Sequence, residues 1–291
     1  MPLATLKQVL GPAQASGYAV GAFNASNLEF VQGIVQAAVA ENAPVIIQAS
    51  QGAIRHAGLE LITEIIRTAA RTAPVPVVMH LDHGRDLELV RACLDAGFTS
   101  VMFDGSALPF EENARLTAEV VRLARGFGAS VEGELGRVPQ ASKSPSAEEV
   151  AALMTDPDDA ARFAAETGID ALAVAVGSVH QMGSQQARLD LHRLEAVRRR
   201  VRLPLVLHGS SGVSEESLRE GVRAGLAKVN FATALNVAFK KGFLEAVREE
   251  PDRLDPRPYL ARAREEVSAA VAHRMRLLGC SGKAAEASAP V

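Results

Sequence analysis

Three of the seven histidines stand directly behind short apolar runs that read as strands. They are His83 in Leu81-Asp82-His83-Gly84, His180 in Gly177-Ser178-Val179-His180, and His208 in Leu207-His208-Gly209-Ser210-Ser211-Gly212. Imidazoles converging from three separate strands are what a divalent-metal site with an open fourth position requires. Carboxylates arrive in the same way: Asp82 beside His83, Asp104 in Asp104-Gly105-Ser106, and Glu134 in Glu132-Gly133-Glu134. A lone histidine at a strand end is more often a polar rim group than a ligand. Three of them beside three carboxylates favour the metal reading. His80 lies inside its strand, either as a core histidine or as a group orienting Asp82 or a ligand. His56, His192 and His273 fall on helical or loop positions and are expected at the surface.

A second signal comes from glycine and small hydroxyl residues. His208-Gly209-Ser210-Ser211-Gly212 leads into a helix opened by Ser214, and Asn230-Phe231-Ala232-Thr233 leads into another. Turns of this kind, facing helix N-termini, bind phosphate through backbone N–H groups. An ordinary turn with N-caps at Ser211 and Ser214 is the plainer alternative. A metal beside a phosphate cradle suits one chemistry well. The ion polarises a carbonyl and stabilises an enediolate while a carboxylic acid moves a proton.

These groups need a scaffold that brings strand ends together. Strands are expected near Tyr18–Phe23, Val45–Ala49, Val77–Leu81, Ser100–Phe103, Ser130–Glu134, Ala171–Val176, Leu205–Leu207 and Ala227–Phe231. Helical periodicity fills the intervals at Leu28–Glu41, Leu59–Thr72, Asp86–Ala96, Phe110–Gly126, Asp158–Thr167, Leu191–Arg200, Glu215–Ala224 and Thr233–Arg248. Eight strand–helix units with no hairpin signal predict an α/β fold, a (β/α)8 TIM barrel. A doubly wound sheet is disfavoured because no G-x-G-x-x-G follows the first strand. Leu3–Ala15 is expected as an N-terminal helix across the base, and Asp255–Leu278 as an extra C-terminal helix. Pro139–Pro145 reads as a mobile active-site loop. Residues 1–283 read as one domain, with a frayed tail after Gly279 and 284–291 flexible.

The 291 residues are 48% hydrophobic, which excludes disorder as the dominant state. A net charge of −3, from 31 basic and 34 acidic residues, lacks the electrostatic footprint of a nucleic-acid binder. Aromatics are only 4%, too few for a base-stacking module. Two cysteines, Cys93 and Cys280, speak against a disulfide framework and a cysteine-based zinc site. No apolar run approaches the roughly 18 residues of a membrane span, and no basic-then-apolar leader is visible at the start. The expectation is a cytoplasmic protein with neither a membrane nor a nucleic-acid partner.

The ordered motifs resemble class II fructose-bisphosphate aldolases and the related tagatose-bisphosphate aldolases. They are Leu81–Gly84, Asp104–Ser106, Glu132-Gly133-Glu134-Leu135-Gly136, Gly177–His180, Leu207–Gly212, Lys228–Thr233 and Asp255-Pro256-Arg257-Pro258-Tyr259-Leu260. The resemblance implies that His83, His180 and His208 hold a catalytic Zn²⁺. It implies that Asp82 transfers the proton at the reacting hydroxyl, and that Asp104 and Glu134 serve a second divalent site or surround the first. Gly209, Ser210 and Ser211, with Asn230, Phe231, Ala232 and Thr233, match segments that bind dihydroxyacetone phosphate. Asn24 and Ser50 match positions lining the substrate. Homodimers or homotetramers, and a phosphorylated sugar as substrate, follow from the same likeness.

Three departures bear on that carry-over. The family loop carrying a glutamate that deprotonates dihydroxyacetone phosphate is replaced by Pro139-Gln140-Ala141-Ser142-Lys143, with Ser142 in place of the Glu. Glu148 and Glu149 follow, as substitutes or as solvated helix-start charges. Gln181 replaces a glycine that contacts phosphate and often a monovalent cation, and Gly183 stands where an aromatic is common. Ala232 occupies a position where fructose-selective members carry Asp, which is the tagatose-type pattern. The reading is therefore a metal-dependent retro-aldol cleavage of a ketose 1,6-bisphosphate to dihydroxyacetone phosphate and an aldehyde such as glyceraldehyde 3-phosphate. The alternatives are a family lyase acting on a different phosphorylated keto or deoxy sugar, and a non-catalytic sugar-phosphate-binding subunit.

Overall fold

A computed structural model describes residues 3–181 and 186–288. Eight strands form one closed barrel: β1 (Val20–Asn24), β2 (Val45–Ser50), β3 (Val77–Gly84), β4 (Ser100–Phe103), β5 (Ser130–Leu135), β6 (Ala171–Val174), β7 (Leu205–Leu207) and β8 (Leu226–Phe231). Neighbours in sequence are neighbours in the sheet and every pair is parallel, with β8 closing on β1 through Val20↔Lys228 to Phe23↔Phe231. The strands are buried along nearly their whole length, as expected where helices cover the outside and side chains fill the inside. This is the TIM barrel that the alternation of elements predicts.

The helices are α1 (Leu6–Ser16), α2 (Leu28–Ala40), α3 (Gln51–Ala57), α4 (Leu59–Thr72), α5 (Leu87–Asp95), α6 (Phe110–Arg125), α7 (Ala147–Ala152), α8 (Pro157–Thr167), α9 (Leu191–Arg200), α10 (Glu215–Arg223), α11 (Thr233–Glu249) and α12 (Arg257–Leu277). Helix α1 lies across the strand starts, where Lys7 N–H donates to Ser130 Oγ at the head of β5. It begins at Leu6 rather than Leu3 because Thr5 and Gln8 form a capping box that ends the extended lead-in. Helix α12 is wedged against α11 and α2.

Three expectations are corrected. Strand β6 ends at Val174 rather than Val176, because the next backbone groups bond outside the sheet. Ala175 accepts from Thr155 N–H at 2.9 Å, and Val176 accepts from Asp190 N–H at 2.8 Å. The short helices α3 and α7 were not foreseen; Ser50 and Ser146 cap them. The stretch after Gly279, expected to fray, is docked at least as far as residue 287. Gly282 N–H donates to Glu41 O at 2.8 Å, Ala284 N–H donates to Asn42 O at 3.0 Å, and Ala284 and Ala287 are buried. Small apolar side chains at that spacing let the chain lie flat on α1. Among the described residues no helix is long and apolar enough to cross a membrane.

Candidate active site

The end of β3 is built irregularly, and the site depends on it. Successive strand residues normally point to opposite faces, yet Asp82 and His83 both line one cavity at the barrel mouth. The register of β3 against β4 shifts between Leu81 and Gly84, and His83 takes a left-handed φ of 52°. Such bulges re-aim side chains beside active sites. Gly84 makes the turn possible: a Cβ there would sit 2.8 Å from Met102 O and 2.7 Å from Leu81 Cδ2.

His83, His180 and His208 each offer a ring nitrogen within 4.8 Å of the others. The orientation of two rings is fixed from outside. His83 Nδ1 lies 3.0 Å from Asp104 Oδ2, and His208 Nε2 lies 2.7 Å from Glu132 Oε1. A carboxylate only accepts, so each of these nitrogens carries the proton. That leaves His83 Nε2 and His208 Nδ1 facing each other at 3.0 Å. Two lone pairs at that distance suit a shared cation, and carboxylate–histidine pairs of this kind fix metal-ligating tautomers. The donor set fits a divalent ion.

A second group joins His83, Asp104 and Glu134 within the same span. Asp104 Oδ2 also accepts two bonds from Arg85, both 3.1 Å, while Oδ1 accepts from Ser106 Oγ at 2.7 Å. Glu134 Oε2 is buried with no hydrogen-bond partner among the described residues. Burial, reinforced by Asp104 and Glu132 against the pull of His83, pushes Glu134 up to about 8. An added cation would relieve that burial cost.

Asp82 is held by a relay of amides. Gln48 Nε2 donates to Asn24 Oδ1 at 2.7 Å, and Asn24 Nδ2 donates to Asp82 Oδ2 at 2.8 Å. Asn230 Nδ2 approaches Asp82 Oδ1 at 3.4 Å. Burial alone would raise the carboxyl, but His83, His208 and the Asn24 bond lower it below the usual value. Asp82 is an ionised, positioned group ready to accept a proton.

Across the mouth, β7 and β8 supply the turns. Gly209 has a φ of 67° and opens a single 3₁₀ turn, Ser210–Gly212. Ser211 Oγ accepts from Ala234 N–H at 3.2 Å in the first turn of α11, and Ser210 Oγ donates to Asn230 O. Of the two caps in the plainer alternative, Ser214 fills its place, accepting from Ser217 N–H at 3.3 Å at the start of α10, whereas Ser211 reaches across to α11 instead. Gly209, Ser210, Ser211, Asn230, Ala232 and Thr233 all line the cavity of about 800 Å³, together with Asn24, Ser50 and Gln181. Phe231 does not. It is fully buried and stacked on Phe23 at 5.6 Å, because alternation along β8 turns its ring away from the mouth.

The loop after β5 is secured to a site residue. His180 N–H donates to Pro139 O at 2.8 Å, and Ala141 N–H donates to His180 O at 2.9 Å. Gln140, Lys143 and Glu149 reach the cavity, whereas Ser142 and Glu148 are not among its lining residues. Glu149 also closes the capping box of α7, its Oε2 accepting from Ser146 N–H at 2.7 Å. Gln181 adopts a φ of 61°, a left-handed conformation that favours glycine. Gly183 lies outside the described residues.

His56, His192 and His273 are exposed, as expected. His80 is fully buried and sits 2.7 Å from Ser100 Oγ. Four site residues were missed: Gln48, Arg85, Glu132 and Lys228. Gln48 and Lys228 each interrupt an apolar strand, which was the available signal. Lys228 Nζ reaches Glu132 Oε2 at 2.7 Å, both side chains being wholly shielded from solvent.

The sequence matches the family described as fructose-bisphosphate aldolase class-II over residues 4–283. A fructose-bisphosphate aldolase of Geobacillus stearothermophilus is 39% identical over 289 residues, covering 98% of this chain and all of that protein. Another from Staphylococcus epidermidis is 39% identical over 287 residues, with the same coverage. The crystal structure of the YdjI aldolase from Escherichia coli K12 superposes with a TM-score of 0.84 at 35% identity, covering 97% of this chain and 99% of that one. A barrel of this build, ending in three facing imidazoles and matching these relatives along its whole length, belongs to the class II fructose-bisphosphate aldolase family of carbon–carbon lyases.

Proposed function

We propose that this chain is a Zn²⁺-dependent aldolase that cleaves a ketose 1,6-bisphosphate, of fructose or tagatose type, to dihydroxyacetone phosphate and glyceraldehyde 3-phosphate. One observation carries the reading: the imidazole cluster, Asp82 and the turns behind β7 and β8 line a single cavity. When bound at His83, His180 and His208, a divalent ion supplies Lewis-acid polarisation of the ketose carbonyl. Backbone N–H groups at Gly209–Ser211 and at Asn230, Ala232 and Thr233, all of which line the cavity, hold the phosphate next to that carbonyl. Asp82, ionised and oriented by Asn24, takes the proton from the C4 hydroxyl as the C3–C4 bond breaks, and returns it in the condensation direction. Asp104 and Glu134 are read as a second divalent site or as the outer wall of the first. Gln181 is read as a substrate contact where relatives place a monovalent cation. The bacterial relatives support a cytoplasmic enzyme, and the family likeness supports a homodimer or homotetramer.

Release of dihydroxyacetone phosphate from a panel of ketose phosphates tests this reading. Cleavage of fructose or tagatose 1,6-bisphosphate by the zinc-loaded protein supports it. Ala232 predicts the tagatose isomer as the better of the two. Gln181 and the altered loop favour a second reading, a different phosphorylated keto or deoxy sugar. Cleavage confined to such a sugar would establish that one instead.

A further inference from the structure

Lys228 and Glu132 form an ion pair in the sealed interior of the barrel, and phosphate binding or proton transfer at the mouth makes no use of it. Both side chains are fully buried, and the bond joins β8 to β5, which are not neighbours in the sheet. The pair therefore crosses the lumen. Burying two charges costs several kcal/mol that their attraction often fails to recover, so such a pair is weak evidence of a stabilising role. Its position relative to the histidines is more informative. Glu132 uses one oxygen for Lys228 and the other for His208 Nε2, each at 2.7 Å. Lys228 thereby clamps the carboxylate that fixes the His208 tautomer and directs Nδ1 toward His83 Nε2.

His83 has a counterpart chain of different construction. Its Nδ1 meets Asp104, which is held by Arg85, a side chain 66% exposed at the mouth. One imidazole is thus braced from the solvent side by an exposed cation and the other from the dry interior by a buried one. His80 Nε2, 3.7 Å from Glu132 Oε2 and without a hydrogen-bond partner among the described residues, is a further polar group beside the pair.

We infer that Lys228 is a positioning residue for the metal: acting through Glu132, it holds His208 in the ligating orientation. The inference rests on the metal-site reading above, and the experiment separates the two. Zn²⁺ affinity by chelator competition, and the visible absorption of the Co²⁺-loaded protein, are compared for wild type, Lys228→Met, Lys228→Met/Glu132→Gln and His208→Ala. The melting temperature of each metal-free form is measured alongside.

Removing Lys228 alone leaves the Glu132 charge buried without its cation and destabilises this variant; the double variant removes both charges and restores the fold. If the pair serves only charge balance, the double variant regains wild-type melting, Zn²⁺ affinity and Co²⁺ spectrum together. If Lys228 positions His208, Lys228→Met, which keeps Glu132, and the double variant both bind Zn²⁺ about 10- to 100-fold more weakly, the usual cost of removing a group that orients a ligand. The double variant does so while melting like wild type. Its Co²⁺ spectrum is also altered. Wild-type affinity and spectrum in the folded double variant overturn the inference and leave the metal site standing. Failure of wild type to bind either ion more tightly than His208→Ala overturns both.

Discussion

His83 Nε2 and His208 Nδ1 stand 3.0 Å apart with no donor assigned between them, because the other nitrogen of each ring already faces a carboxylate. In the metal-free chain a proton on His83 settles that arrangement. Burial opposes its charge, but Asp82, the Asp104 bond and Glu134 push His83 up to about 9. Burial, then His83 and His208, drives His180 down to about 3, and burial also lowers His208. One imidazole of the three is therefore charged at neutral pH.

Metal uptake must expel that proton. Affinity is expected to climb about tenfold per pH unit from near neutrality and level off above about pH 9, since ligands bind only when deprotonated. The same shift stabilises the metal-free fold: the raised value contributes fully below the unfolded histidine value and is lost as pH rises through about 9. Calorimetry in buffers of different ionisation enthalpy should show about one proton released per ion near pH 7.5. Uptake without proton release would contradict the charged state of His83.

Asp82→Asn keeps the shape and the bond to Asn24 while removing the proton acceptor. Turnover should fall by a factor on the order of 10²–10⁴, the usual contribution of a positioned acid–base group. Zn²⁺ content, measured on the same preparation, should stay near that of wild type. Wild-type turnover would place the proton transfer elsewhere in the cavity.

Much of this site is legible in the sequence because its parts are local. Each of the three histidines follows an apolar strand, and in a barrel the ends of strands share one face. Asp82, Asp104 and Glu134 were found for the same reason. The support behind them was not legible. Glu132 and Lys228 are 96 residues apart, and their pairing across the lumen exists only once β8 closes on β1. Arg85 drew no reading of its own, because its bonds to Asp104 depend on the bulge that turns the chain at His83. Phe231 entered with its motif but lies outside the cavity lining, because a motif carries no information about which strand face a residue occupies. The docked tail was misjudged because its anchors, Ala284 and Ala287, have too little apolar area to stand out in composition.

The packing of α11 on α12 allows a stability test remote from the cavity. A Cβ on Gly242 would lie 2.8 Å from Arg262 O and 3.1 Å from Ala263 Cα, so the two backbones touch there. Gly242→Val must push the helices apart. A loss of about 1–3 kcal/mol is expected from overpacking of this kind. Denaturant unfolding should show a lowered midpoint, with Zn²⁺ affinity of the folded fraction unchanged. An unchanged midpoint would mean that this helix contact carries no strain.

The last prediction concerns the base that deprotonates dihydroxyacetone phosphate, where the resemblance implies that Ser142 replaces the family glutamate. Ser142 lies outside the cavity lining, so it is no substitute. Of the two nearby carboxylates, Glu149 reaches the cavity and Glu148 does not. Glu149 is occupied at the α7 cap, where its Oε2 accepts from Ser146 N–H. Breaking that bond would free the carboxylate to turn inward, and caps of this sort contribute only about 0.5–2 kcal/mol. Lids that fold over a site on substrate binding commonly make such exchanges. Glu149→Gln should therefore slow hydrogen-isotope exchange into dihydroxyacetone phosphate by at least about tenfold, within the range for a general base. Glu148→Gln should leave it near the wild-type rate. Exchange isolates deprotonation from aldehyde binding, so a defect cannot be blamed on the second substrate. Ser146→Ala provides the cross-check: it removes the hydroxyl side of the cap while sparing the carboxylate, and exchange should be retained. Equal exchange in wild type and Glu149→Gln would exclude this carboxylate as the base.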